Sequence, residues 1–201
     1  MSNRSKPNVL VFLTDGHRTD AVGCYGGSPV RTPNFDAFAD DGVRCANSFC
    51  SHTVCMPTRA SIFTGRYPHV HGVWANGVGL SKDEVTLPQI MAANGYRTCS
   101  SGKIHFEPQQ STDYPPHIAE GEPYYGFQEV HLSENKVGAE YLQFVRDGFP
   151  DLAEAAAKRK AMPEEAHELT WITNRAIDFV RRGADGDAPF FCVCSCHELC
   201  P

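Results

Sequence analysis

The sequence predicts an α/β protein built around a mostly parallel sheet. Two apolar segments, PNVLVFLTD at residues 7–15 and PFFCVCSC at 189–196, have the nearly unbroken hydrophobic character of strands that are buried on both faces. Between them, residues 163–183 repeat apolar side chains every three or four positions, which is typical of an amphipathic helix. Strands that alternate with helices usually form a parallel sheet covered by those helices.

The remaining elements follow from caps, breakers and periodicity. Residues 32–42 form a predicted helix, because Thr32 suits the N-cap and Pro33 suits the first turn. Thr86 and Gly95 delimit another helix in the same way. We also predict strands at residues 43–50 and 96–103, a helix directly after Cys55 at 57–65, and mainly helical structure across 138–182.

Composition and charge exclude several classes of function. The chain has 201 residues, enough for one sizeable domain, and carries 18 basic against 24 acidic side chains, a net charge of -6. It has no basic footprint of a nucleic-acid-binding protein, and no segment has the length of a membrane span or the pattern of a signal peptide. The sequence therefore predicts a cytoplasmic protein with no nucleic acid and no membrane as partners.

The nine cysteines are an odd number without a secretory signal, which argues against a disulfide framework. Cys192, Cys194 and Cys196 alternate along the last predicted strand, so they share one face, as expected of a packed core. The spacing along a strand does not match the C-x2-4-C turn of structural zinc sites. We therefore do not predict zinc in this segment, even with His197 and Cys200 close by in the sequence.

Two positions stand where chemistry is expected. Asp15 lies at the carboxyl end of the first strand, where its carboxylate suits either a hard divalent cation or a simple loop contact. Cys55 precedes a helix, and the helix dipole together with Arg59 one turn later would favour its thiolate. A cysteine nucleophile also needs a histidine, so a buried structural thiol is an alternative that these residues alone leave open.

Several segments together resemble the sulfatase family. The pattern Cys-x-Pro-x-Arg at 55–59, followed by TGRYPHVHG, resembles the sulfatase signature, and GYRTCSSGKIHF at 95–106 resembles the family's second signature. The opening strand, the TPN helix and the final apolar strand stand in the family's order. The resemblance implies an alkaline-phosphatase-like three-layer sandwich around a mostly parallel or mixed sheet, with residues 1–201 as an N-terminal part of the catalytic domain, incomplete at the C-terminus.

The resemblance also implies a mechanism for a small-molecule sulfate ester. A formylglycine-generating enzyme would convert Cys55 to formylglycine, whose hydrate attacks sulfur. Asp15 and the modified Cys55 would hold a divalent metal, with calcium expected and manganese or magnesium as alternatives. Arg59 would steady the diol, Lys103 would bind the sulfate oxygens, and His105 would deprotonate the second hydroxyl so that sulfate is expelled.

Some residues depart from the family's pattern. Gly16 stands where many sulfatases have a second Asp, and Met56 is unusual within the signature. Leu199 and Cys200 stand where a Pro-His pair is expected, and His197 lies three residues before Cys200. The family's remaining metal ligands would fall beyond residue 201, so we expect the isolated chain to be inactive.

Two other hypotheses stay open. Gly16 and Asn76 favour a phosphonate monoester or phosphodiester hydrolase of the same superfamily, because Asn76 falls where such enzymes carry a site Asn that contacts substrate oxygen. Lys103 and His105 favour the sulfatase, since the phosphonate enzymes have uncharged hydroxyl side chains at those positions. The third hypothesis is a non-catalytic module that binds anions at the helix N-terminus beside Cys55.

Overall fold

A parallel sheet of four strands organises the part of the chain that the structure describes. The computed structural model describes residues 6–26, 29–108, 118, 121–134, 138–158, 160–183 and 188–197. The strands lie in the spatial order β1-β4-β2-β3 and all pair in parallel, so their carboxyl ends meet at one edge. Their bounds are β1 Val9–Thr14, β2 Arg97–Gly102, β3 Glu129–Leu132 and β4 Phe190–Cys196.

Helices cover both faces of this sheet, which confirms the predicted layered α/β architecture. One layer consists of α2 Cys55–Thr64, α3 Pro68–His71 and α4 Leu87–Ala93, and the other of α5 Ala139–Gly148, α6 Ala153–Ala157 and α7 Glu168–Gly183. The remaining helix, α1 Pro33–Asp41, packs beside a 3-10 turn at Gly23–Tyr25. Within the described ranges, no helix is both long and apolar enough to cross a membrane.

The alternation of side chains along β4 builds two cores. Phe191 and Val193 point to the layer that contains α2 and α4. The opposite face of β4 carries three buried cysteines that pack with Trp171 of α7, namely Cys192, Cys194 and Cys196. This arrangement confirms that the alternating cysteines belong to a packed core face. Each cysteine in the described part of the chain is a free thiol.

Local signals explain most of the boundaries. Thr86 opens α4 with a capping box, in which its hydroxyl accepts from the amide of Gln89 and the Gln89 side chain accepts from the amide of Thr86. The helix α2 begins at Cys55 and ends before Gly65, as its sequence indicates. The other predicted helices and the strands at 7–15, 96–103 and 189–196 are also confirmed.

One predicted strand is wrong and one observed strand was not predicted. Residues 43–50 alternate in character, yet they are irregular, and Val43 and Phe49 are 93% and 90% exposed. An alternating pattern forms a strand only beside a pairing partner, and the described sheet offers none to this segment. Conversely, β3 has four residues of mixed polarity, too few for a periodic signal.

Candidate active site

Asp15 lies at the carboxyl edge of the sheet, directly after β1. Its backbone amide donates to the carbonyl oxygen of Cys196 at 3.0 Å, which continues the pairing of β1 with β4. Lys103 Nζ donates to Asp15 Oδ2, and Arg59 Nη2 lies 3.6 Å from Asp15 Oδ1. Burial opposes ionisation of this carboxyl, but Lys103 and Arg59 outweigh it and hold the pKa of Asp15 below its usual range.

Cys55 occupies the first position of α2 and faces the same charges. Its Sγ lies 3.8 Å from Asp15 Oδ1 and 3.6 Å from Lys103 Nζ. The unpaired amides at a helix N-terminus add partial positive charge here. The structure therefore brings together Cys55, Asp15 and Lys103, three residues to which the resemblance assigned roles in one site.

Asn76 is outside α2, but its side chain contacts the first turn of that helix. Its Oδ1 accepts a hydrogen bond from the amide of Met56 at 3.1 Å. This bond satisfies one of the free amides of the first turn, a task that Val54, at the N-cap position, cannot perform with its side chain. Met56 is buried beneath the site, and its Sδ accepts from the amide of Gly77 at 3.2 Å. The structure thus gives Asn76 a role in positioning Cys55, and contact with a substrate stays a prediction.

Arg59 is buried, and its guanidinium is held by hydrogen bonds inside the protein. Its Nη1 donates to the carbonyl oxygen of Lys103 at 2.6 Å and to Ser195 Oγ at 2.9 Å. These bonds link α2 to the ends of β2 and β4 and leave Nη2 toward Asp15. Sequence reasoning missed Ser195, although a lone hydroxyl within the apolar strand β4 is a usable signal for such a contact.

Lys103 reaches Asp15 because β2 ends in a close approach to β4. The amide of Lys103 donates to the carbonyl oxygen of Ser195 at 3.1 Å. Gly102, just before it, has a positive φ of 92°, and a Cβ there would lie 2.1 Å from that same Ser195 oxygen. Only glycine fits this position, so Gly102 sets the course of the chain into the site.

His105 adopts a left-handed backbone, with a φ of 57°, that is uncommon for a residue other than glycine. Glu134 stabilises this conformation, because its Oε1 accepts from the amide of Ile104 at 2.9 Å and from the amide of His105 at 2.7 Å. Glu134 is itself buried, just after β3. Sequence reasoning missed Glu134, since its contact depends on the strand that the sequence did not reveal.

The imidazole of His105 is neutral at neutral pH. Burial lowers its pKa to about 4, with the positive charges of Lys103 and Arg59 acting in the same direction and Glu134 opposing them. Among the described residues, Nδ1 of His105 has no hydrogen-bond partner. A neutral imidazole has one ring nitrogen that can accept a hydrogen bond or a proton from a bound group, but burial and the two nearby cations weaken it as a base.

His197 follows β4 at the same edge of the sheet, but its environment differs. Its Nε2 lies 3.6 Å from Oε2 of Glu168, the first residue of α7, and both side chains are buried. This contact joins the end of β4 to the start of α7. Leu199 and Cys200 lie outside the described residues.

The charges of this site suit an anion. Arg59 and Lys103 bring two buried cationic groups against the carboxylate of Asp15, whereas the buried carboxylate of Glu134 accepts from the amides of Ile104 and His105. Fixed cations in a buried site stabilise negative charge far better than cations in water. The arrangement can therefore bind an oxyanion and stabilise charge that develops on it.

Comparison with known proteins identifies a family. The family model described as Sulfatase matches residues 7–198. The uncharacterized sulfatase YidJ of Escherichia coli K12 is 33% identical over 200 residues, which cover 96% of this chain and 38% of YidJ. An arylsulfatase of Clostridium perfringens is 29% identical over 206 residues, which cover 92% of this chain and 42% of that protein. The chain thus spans less than half the length of these curated relatives.

A solved structure with a similar fold is that of a phosphonate monoester hydrolase. The phosphonate monoester hydrolase of Agrobacterium radiobacter matches with a TM-score of 0.76 and 26% identity, covering 98% of this chain and 42% of that one. Such neighbours confirm the alkaline-phosphatase-like α/β fold that the resemblance implied. From the family match and the relatives together, the chain belongs to the sulfatase family.

Proposed function

We propose that the protein to which this chain belongs hydrolyses sulfate monoesters, with formylglycine made from Cys55 as its catalytic group. The observation that carries this proposal is the position of Cys55 at the start of α2, 3.8 Å from the Asp15 carboxylate and 3.6 Å from the Lys103 ammonium. A catalytic group at position 55 would lie beside the Asp15 carboxylate, which would help to activate it, and beside the Lys103 ammonium, which would bind the substrate. Family membership supports the reaction class.

The side chains of this chain have distinct tasks in such a reaction. Formylglycine made from Cys55 would, as its hydrate, provide the oxygen nucleophile for sulfur. Lys103 and Arg59 offset the negative charge of the sulfate group, and Arg59 keeps its orientation through its bonds to Ser195 and the Lys103 carbonyl. His105 is neutral and can take a proton from a hydroxyl bound beside it, so that sulfate can leave.

The family also implies a divalent cation, and the described residues fit one only in part. Asp15 offers one buried carboxylate, and both of its oxygens already face Lys103 or Arg59. Gly16 adds no ligand atom from its side chain. Hard cations such as calcium take six to eight oxygen ligands, so further ligands must come from outside the described residues. We therefore propose Asp15 and the modified Cys55 as two of the ligands, with calcium the expected ion.

A phosphonate monoester hydrolase is the second candidate. The observation that favours it is the similarity to the Agrobacterium radiobacter enzyme, with a TM-score of 0.76 over 98% of this chain. Phosphonate and sulfate monoesters present similar tetrahedral anions to Lys103 and Arg59. The charged Lys103 and the buried His105 remain the reason to place sulfate first.

The whole protein, purified from its native source, tests these candidates. We would compare turnover of an aryl sulfate, an aryl phosphate and an aryl phosphonate monoester under the same conditions. The proposal predicts fastest turnover of the sulfate, and loss of turnover in Cys55→Ala with a matched control, Cys24→Ala, that keeps it. Fastest turnover of the phosphonate would establish the second candidate. Sulfate binding without any turnover would instead establish the anion-binding module.

Two further parts of the proposal concern the cell. We propose a formylglycine-generating enzyme as a partner, so coexpression with one should raise the activity of the recombinant protein, and Cys55→Ala should abolish that gain. We also retain the cytoplasmic location as a prediction. Fractionation that recovers the activity outside the cytoplasm would contradict it.

A further inference from the structure

A second cluster of ligand-type side chains lies away from the candidate active site. It consists of Cys99 in β2 and Glu129 and His131 in β3, and one ligand atom from each lies within 4.8 Å of both of the others. Cys99 pairs with Glu129 across the parallel strands, and His131 is two residues further along, so all three occupy the same face. Cys99 is four residues before Lys103, about 13 Å along an extended strand.

His131 is oriented as a metal-binding imidazole would be. Both carboxylate oxygens of Glu140, in α5, lie close to its Nδ1, at 2.9 and 3.0 Å. Its Nε2 points the other way, 2.9 Å from Oε1 of Glu129. Carboxylates that hold one ring nitrogen of a histidine, so that the other meets the metal, are a regular feature of zinc sites.

The thiol of Cys99 distinguishes this cluster from an ordinary ion-pair network, which consists of charged side chains alone. Cys99 is completely buried, and it pairs with Cys192 in the register of the neighbouring strand β4. Glu129 also accepts from Arg182 Nη2 at 2.5 Å, so its carboxylate is shared between a guanidinium and the cluster. A thiolate, an imidazole and a carboxylate together are typical ligands of zinc rather than of calcium or magnesium.

We propose that Cys99, Glu129 and His131 bind a zinc ion, with Cys192, which pairs with Cys99 across the strands, as a further donor. In this state Zn²⁺ takes the place of the proton between His131 Nε2 and Glu129, and Cys99 binds as the thiolate after releasing its proton. The side chains of Glu129 and His131 are 27% and 15% exposed, so an ion can enter from the side of β3. The site ties β2 to β3 at a distance from the candidate active site, which makes its role structural rather than catalytic.

Cobalt and zinc binding to the full chain test this proposal. The experiment uses a Cys55→Ser background, because the thiol of Cys55 also lies close to a carboxylate, that of Asp15. We expect one equivalent of Zn²⁺ to remain after desalting, and Co²⁺ to give the near-ultraviolet absorption of a thiolate complex. Cys99→Ser should abolish that absorption, whereas Cys45→Ser, which removes an exposed thiol, should leave it unchanged.

Two further variants keep the test decisive if the buried substitution Cys99→Ser fails to fold. Glu129→Gln changes a partly exposed ligand, and we expect it to weaken zinc binding at least tenfold. Glu140→Gln should weaken it by about 10- to 100-fold, because it only orients His131. Absence of the cobalt–thiolate absorption in the parent, or unchanged zinc affinity in both variants, would show that the cluster is an ion network only and would overturn the proposal.

Discussion

The buried imidazole of His105 should make the folded protein sensitive to mild acid. Burial and the nearby cations lower its pKa from 6.5 to about 4, so the folded state stays unprotonated while the unfolded chain takes up a proton. The contribution of the neutral His105 to the free energy of unfolding is therefore fully present above about pH 6.5 and is lost as the pH falls toward about 4. At about 1.4 kcal/mol for each pKa unit, the full loss is about 3 kcal/mol, of which about 2 kcal/mol is lost by pH 5.

Urea unfolding at about pH 7.5 and about pH 5 measures this loss. We would compare the wild type with His105→Gln, which keeps a polar side chain of similar size but cannot titrate, because other groups titrate alike in both proteins. The wild type should lose about 2 kcal/mol more than the variant between the two pH values. The exposed His69, changed to Gln, should behave like the wild type. Equal losses in the wild type and His105→Gln would refute the reasoning.

Three other predictions follow from single contacts. Asn76→Ala should lower the free energy of unfolding by about 1 kcal/mol, because the amide of Met56 loses its acceptor; no change in urea unfolding would contradict this. Glu134→Gln should lower the free energy of unfolding by about 1–3 kcal/mol, since the buried carboxylate accepts from two backbone amides. It should also lower kcat while changing KM less; normal kinetics would exclude a positioning role. Phe63→Ala should cost about 3–5 kcal/mol, whereas Ile62→Ala, at an exposed position, should cost far less; similar costs would contradict the assigned core.

Much of the candidate site could be predicted from the sequence because its residues lie at the ends of strongly patterned elements. Asp15 ends an apolar strand, Cys55 begins a helix, and Lys103 follows a strand. In a parallel sheet the carboxyl ends of strands share one edge, so Asp15 and Lys103 are expected at the same edge of the sheet. Arg59 follows Cys55 by one helical turn, and the second signature motif then gave Lys103 and His105 their roles; the structure places Arg59 and Lys103 against Asp15.

The residues that were missed act through contacts between distant segments. Glu134 supports His105 from the end of β3, a strand too short for a periodic pattern, and Ser195 supports Arg59 from a position 136 residues away. No local propensity encodes such pairs, because tertiary packing alone decides which buried polar groups meet. Asn76 shows the same limit, since an Asn-Gly pair predicts a turn but not the amide of Met56 that it reaches.

Mass analysis of the peptide that contains Cys55 tests the central proposal most directly. Cleavage after Arg44 and Arg59 of the protein from its native source releases residues 45–59, which also contain Cys45 and Cys50 as internal references. The proposal predicts an aldehyde at Cys55 and unmodified thiols at the two reference positions. A thiol at all three positions in an active preparation would contradict the formylglycine mechanism for this protein.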